Sequence, residues 1–136
     1  MQISAQVHNT ATTHQATVAT QGRAQTVAVP GRAGGGSGLN GGELLMLALA
    51  TCYCNDLYRE AARLQIELTA VEVEAQAEFD GIGLAARDVR YRARIQSPDS
   101  AERIEQLLRE TDAVAEVHNT LRRGAPVHRQ PWPDAG

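Results

Sequence analysis

Asn40-Gly41-Gly42-Glu43-Leu44-Leu45-Met46-Leu47-Ala48-Leu49-Ala50-Thr51-Cys52 is the stretch that decides how the rest of this sequence is read. Asn40 can accept from a backbone amide at the start of a helix, and Glu43, three residues on, can reach back to the Asn40 amide, which is the pattern of a capping box. The helix this predicts runs from about Asn40 to Leu64. Its first half, Leu44 to Ala50, is apolar on all sides, as expected of a helix buried all round. Its second half, Asn55 to Arg63, is amphipathic. A helix of this kind is expected to run through the middle of a fold.

Upstream lies Pro30 to Gly42, too rich in glycine for a regular element and therefore a mobile or closely packed loop. It lacks the Gly-Lys-Ser/Thr ending that grips phosphate, so it is not read as a phosphate loop. Before it, Ile3, Ala5 and Val7 alternate with polar neighbours. Ala16 to Ala19 and Thr26 to Val29 make further strand segments, with a hairpin turn at Gln21-Gly22-Arg23. Downstream, Val71, Val73, Ala75, Ala77 and Phe79 alternate with mostly acidic residues, and Val89, Tyr91, Ala93 and Ile95 with mostly basic ones. The two strands are expected to pair as a hairpin with opposed charges on its wet face, each pair contributing about 0.2–1 kcal/mol. Ser97 and Pro98 are expected to open a helix with Ile104, Leu107 and Leu108 on its apolar stripe. A shorter helix carrying Val114, Val117 and Leu121 should stop at Gly124. Residues 125–129 are read as a last edge strand and 130–136 as a frayed tail.

The composition narrows the function. With 136 residues, 1–129 is expected to form a single α+β domain. All 13 basic residues are arginine, against 16 acidic ones, and aromatics make up 4% of the chain, so neither the charge nor the stacking surface for nucleic acid is present. No apolar run reaches the length of a membrane span, and the first residues resemble no export signal, so a cytoplasmic, soluble protein is expected. There Cys52 and Cys54 should be thiols. On a helix, residues two apart point about 200° from one another, so the two sulfurs face nearly opposite ways and cannot join without breaking the helix. That spacing also disfavours a zinc site made from Cys52, Cys54, His118 and His128. No metal and no cofactor is expected.

The segment Gly34 to Cys52, with its glycine loop, Glu43-Leu44-Leu45 start and Leu49-Ala50-Thr51-Cys52, resembles the OsmC/Ohr family, and the order of elements agrees from about residue 7 to 128. The resemblance implies an α+β fold in an intertwined homodimer, its long central helices wrapped by antiparallel sheets from both chains. It implies a thiol-dependent peroxidase of oxidative-stress defence, in which the thiolate of Cys52 attacks an organic hydroperoxide and becomes a sulfenic acid. A free thiol titrates near ~8.5, and Cys52 lies about twelve residues, roughly 18 Å, beyond the positive end of its own helix, so a cation must come from elsewhere. Arg23 is the preferred candidate over Arg32, and Glu43 matches the general family pattern while also serving as a cap partner. The family's second cysteine, within a Cys-Pro-Val-x-Asn-x-Leu motif, is replaced: this chain reads Ala115-Glu116-Val117-His118-Asn119-Thr120-Leu121. Where some members carry a glutamate ten residues before the cysteine, Gly42 stands here.

An external thiol is therefore the expected resolver. Cys54 and His118 are auxiliary candidates, read otherwise as a small buried apolar residue and a packing histidine. Asp56, one turn beyond Cys52, should push the thiol pKa up. The alternative is a non-catalytic dimer of the same fold that binds a small lipophilic ligand in an interface crevice.

Overall fold

A computed structural model describes residues 1–133 in two compact units, Met1–Leu45 and Met46 onward. The first holds three strands, β1 (Ile3–Asn9), β2 (His14–Thr20) and β3 (Arg23–Val27), in an antiparallel sheet ordered β1-β2-β3. Thr20 pairs with Arg23, so the β2–β3 turn has two residues, Gln21 at φ 52° and Gly22 at φ 80°. Two successive positive φ values make the primed turn that matches strand twist, and glycine takes the second at no steric cost. β3 ends at Val27, two residues before the expected limit at Val29.

The glycine loop is closely packed. Asn9 clamps it at Gly36, its side-chain amide donating to the carbonyl (2.9 Å) and its oxygen accepting from the N–H (2.9 Å). Gly38 N–H donates to the Pro30 carbonyl at 2.9 Å, and Gly34 N–H to that of Ala11 at 3.0 Å. Several of the loop's backbone groups are thus satisfied by turns and by the side chains of Asn9, Arg32 and Ser37.

Helix α1 spans Gly41–Leu64 and begins with the expected capping box: Glu43 N–H donates to Asn40 Oδ1 at 2.7 Å, and Asn40 N–H to Glu43 Oε1 at 3.0 Å. Its end is marked by Gln65 at φ 58°, after which Ile66 N–H bonds back to the Ala61 carbonyl at 2.8 Å. Within this chain the apolar first half is not buried all round. Leu49 is 1% exposed, whereas Leu44 and Leu47 are 40% and 58% exposed.

In the second unit, β4 (Ala70–Glu78) and β5 (Arg87–Gln96) form a two-stranded antiparallel sheet, followed by α2 (Ala101–Val114) and α3 (Glu116–Arg123). The hairpin register sets Glu72 opposite Arg94, Glu74 opposite Arg92 and Gln76 opposite Arg90, which is the charge pairing expected of its wet face. Arg92 meets Glu74 at 2.7 Å, Arg94 pairs with Glu72, and all four side chains remain exposed, so these pairs set register more than they add stability. The opposite face, Val71, Val73, Tyr91, Ala93 and Ile95, packs on the core of Tyr53, Leu57, Ala61, Ile66, Leu107 and Ala115.

Two expectations are corrected. Helix α2 is capped by Ser100, which accepts from Arg103 N–H at 3.3 Å; it does not begin at Ser97-Pro98. Ser97 is engaged elsewhere, donating to the Glu67 carbonyl at 2.5 Å and accepting from Asp99 N–H at 3.0 Å, which ties the β5 exit to the α1–β4 loop. Residues 125–129 form no strand. Gly124, at φ 64°, turns the chain out of α3, and the five residues beyond it are exposed and pair with no strand among the described residues. Residues 130–133 are likewise exposed without regular structure, and 134–136 of the expected tail lie outside the described residues.

Leu107, fully buried between α1 and the β4–β5 sheet, should be among the costliest truncations. Leu107→Ala is expected to lower unfolding free energy by roughly 2–5 kcal/mol in a urea titration, whereas truncating the exposed Ile82 should change it little.

Candidate functional site

The core orients α1. With Leu49, Tyr53, Leu57 and Ala61 committed to the interior, Cys52, Asp56 and Arg59, spaced at i, i+4 and i+7, share the neighbouring stripe of the helix. That stripe faces the start of α3. The half-buried Cys52 Sγ is 3.4 Å from Asp56 Oδ2 and 3.8 Å from Glu116 Oε2. Arg59 Nη1 lies 3.1 Å from Asp56 and 3.1 Å from Glu116, and its Nε is 3.4 Å from Glu60. One guanidinium thus serves three carboxylates, beside a thiol.

Burial is the main cause that raises the pKa of the Cys52 thiol above its ordinary value. The backbone N–H of Val117, in the first turn of α3, pulls it down, and Asp56 and then Glu116 raise it further. The carboxyls are driven apart. Burial and the neighbouring Glu116 raise Asp56, while its own backbone N–H and the bonds from Asp56 and Arg59 lower Glu116. A shared proton therefore rests on Asp56 before Glu116. The helix end that counts for Cys52 is that of α3, delivered by tertiary packing, and not the distant start of α1.

The other candidates have surroundings of their own. Cys54 is a half-buried free thiol. His118 is buried, with its ring 4.4 Å from that of Tyr91 and 5.5 Å from that of Tyr53, and neither ring nitrogen has a hydrogen-bond partner. Burial, and next the charge of Arg122, hold its pKa below the ordinary value, so it packs as a neutral ring. Arg23, the first residue of β3, and Arg32, whose Nε donates to the Gly35 carbonyl at 3.3 Å, belong to the first unit, as does the capping residue Glu43.

Among the described residues, those whose metal-binding atoms gather are Cys52, Asp56 and Glu116, mutually within 4.8 Å, and not the set with Cys54, His118 and His128. Arg59 already neutralises both carboxylates, so a cation there would have to displace it. Sequence reasoning identified Asp56 but missed Arg59 and Glu116. Arg59 was detectable as the next residue on the helix stripe, and Glu116 only through its place beside Ala115.

Comparison with known proteins agrees with this architecture. Residues 34–129 match the family described as OsmC-like protein. Among solved structures, an organic hydroperoxide resistance protein OsmC from Legionella pneumophila is 18% identical, with 90% of each chain covered and a TM-score of 0.60. An organic hydroperoxide resistance protein from Elizabethkingia anophelis is 16% identical, covering 90% of this chain and 89% of that one, with a TM-score of 0.61. An OsmC-like protein from Mycoplasma pneumoniae is 18% identical, covering 88% and 87%, with a TM-score of 0.59. No curated protein matches the chain. The likeness establishes a mixed α+β fold shared with these proteins, and no helix among the described residues is long and apolar enough to cross a membrane.

In a Cys54→Ser background, Cys52 should titrate above the range of a free thiol when followed by thiolate absorbance. Asp56→Asn should move that titration down, because it removes a negative charge beside the sulfur. An unchanged midpoint would assign the shift to burial and Glu116.

Proposed function

The chain belongs to the OsmC-like family, and from that membership and the surroundings of Cys52 we propose that it reduces organic hydroperoxides through Cys52, with an external thiol as resolver, in oxidative-stress defence. The observation that carries the reading is the environment of one sulfur: a carboxylate at 3.4 Å to take its proton and the Val117 N–H to favour its thiolate. A carboxylate whose pKa is raised holds a proton more readily, which suits Asp56 to accept the one that Cys52 must release. The thiolate attacks the distal oxygen of the hydroperoxide and the O–O bond breaks. The alkoxide takes up a proton and leaves as the alcohol, and the sulfur, oxidised by two electrons, is left as a sulfenic acid. One external thiol then displaces water from that sulfur to give a mixed disulfide. A second attacks the outer sulfur of that mixed disulfide, which releases the thiol of Cys52, and the two external thiols leave joined as a disulfide.

Arg23 and Glu43 complete the proposed set, with Arg23 as the cation brought to the thiolate from its own chain or a partner, and with Cys54 and His118 in auxiliary places. The exposed Leu44 and Leu47 on α1 support a homodimer in which a second copy covers them. The reading as a binder of a small lipophilic ligand is favoured by the raised thiol pKa and by the lack of a second cysteine at Ala115.

Brief exposure of the reduced protein to cumene hydroperoxide with a sulfenic-acid trap should label Cys52 selectively. Cys52→Ser should abolish peroxide consumption with the fold intact, and Cys54→Ser should leave it nearly unchanged. Since the thiol pKa is raised, the thiolate fraction is small at neutral pH, so the rate should climb toward alkaline pH. Equal effects of the two substitutions, or no labelling at all, would transfer the case to ligand binding.

A further inference from the structure

A cavity lies in the same unit, lined, apart from His118, by residues the proposed chemistry of Cys52 does not use. Leu49, Val89, Tyr91, His118, Leu121 and Arg122 line a cavity of about 220 Å³. That is below the ~300–1,000 Å³ common for larger ligands, yet holds several times the ~30 Å³ of one water. Its walls are mostly apolar, and among its polar groups the ring nitrogens of His118 are left unpaired.

Arg122 has no carboxylate within ion-pair distance among the described residues. Its Nη1 donates to the Asp112 carbonyl at 3.4 Å and to Asn119 Oδ1 at 3.3 Å, and its Nη2 to the Tyr91 hydroxyl at 2.9 Å. A guanidinium has five N–H donors, so Nε–H and one Nη2–H remain. The Asp112 carboxylate is kept occupied by the Tyr91 hydroxyl, which donates to Oδ1 at 2.6 Å. His118 is only 2% exposed, and both its ring nitrogens lack partners. The face of Tyr91 can receive one ring N–H at most, which leaves the other nitrogen unsatisfied, a state that costs free energy unless something fills it.

We propose that this cavity binds a small monocarboxylate, whose short apolar body lies against Leu49, Val89 and Leu121 and whose anionic group is met by Arg122 and by the N–H of His118. A bidentate carboxylate is what a guanidinium with spare donors accepts best, and the cavity's size limits the body to a short chain or a single ring. The site includes neither Cys52 nor its carboxylates, so it stands whether or not Cys52 turns over peroxide.

The test is titration of the full-length protein with hexanoate, followed through the methyl resonances of Val89 and Leu121 and the ring resonances of His118. Saturable shifts at these three residues are expected, retained in Cys52→Ser. Arg122→Gln should weaken binding about tenfold or more, the loss expected when a charge-assisted pair is removed, and hexanol should bind correspondingly less well. Leu121→Trp, a change at the rim of the cavity, should block hexanoate while circular dichroism stays unchanged. Absence of saturable shifts at millimolar hexanoate, equal affinity for hexanol, or undiminished binding by Arg122→Gln would each overturn the proposal.

Discussion

Everything in the second unit depends on how α1 is rotated, and that is fixed by one stripe of buried side chains. Leu49, Tyr53, Leu57 and Ala61 recur every four residues and are all but removed from water. Turning the helix by one residue would exchange this stripe for Ala48, Cys52, Asp56 and Glu60, putting two carboxylates where the core now holds large apolar side chains. Packing against the β4–β5 sheet and α2 thus decides where the thiol points. The same rotation places Leu49 in the wall of the His118 cavity, so that cavity and the surroundings of Cys52 are held by a single packing solution.

Around Cys52 the balance favours the thiol. Burial and two carboxylates oppose the thiolate, while the backbone amide of Val117 favours it. Arg59 is engaged by Asp56, Glu116 and Glu60, so its field at the sulfur is largely cancelled. The resting thiol is the outcome, with a proton acceptor beside it. An arginine supplied directly to the sulfur would change that outcome more than any single neighbour now present, because a bare cation at a few ångströms in a half-buried site outweighs a partial amide charge.

Local signals were the most legible part of the sequence. The capping box at Asn40 and Glu43, the Gln21-Gly22 turn and the charged hairpin depend on residues near one another in the chain or on strict alternation, and each appears as its residues dictate. Ser97 misled because a serine before a proline is a good cap in isolation. The fold uses its hydroxyl to bind the Glu67 carbonyl, and Ser100 caps instead. The supposed last strand had the residues of an edge but no neighbour to pair with among the described residues. At the site, Asp56 followed from helical spacing, whereas the meeting of Cys52 with Glu116 spans 64 positions and has no periodicity to announce it.

The replacement at Ala115 acquires a physical meaning from this meeting. Ala115 is fully buried at the junction of α2 and α3, and the next two residues supply the carboxylate and the amide that approach Cys52. A cysteine at this point would lie on the segment already held against the reactive position, whereas the methyl group there serves only the core. On the proposed reading the oxidised sulfur must then be met from outside. Cys52 suits this, since it is half-buried rather than sealed, while the residue in the second cysteine's place is closed to solvent. Lack of an internal resolver and retention of an accessible thiol are thus compatible features of one design, in which the segment that would carry the second thiol instead tunes the first.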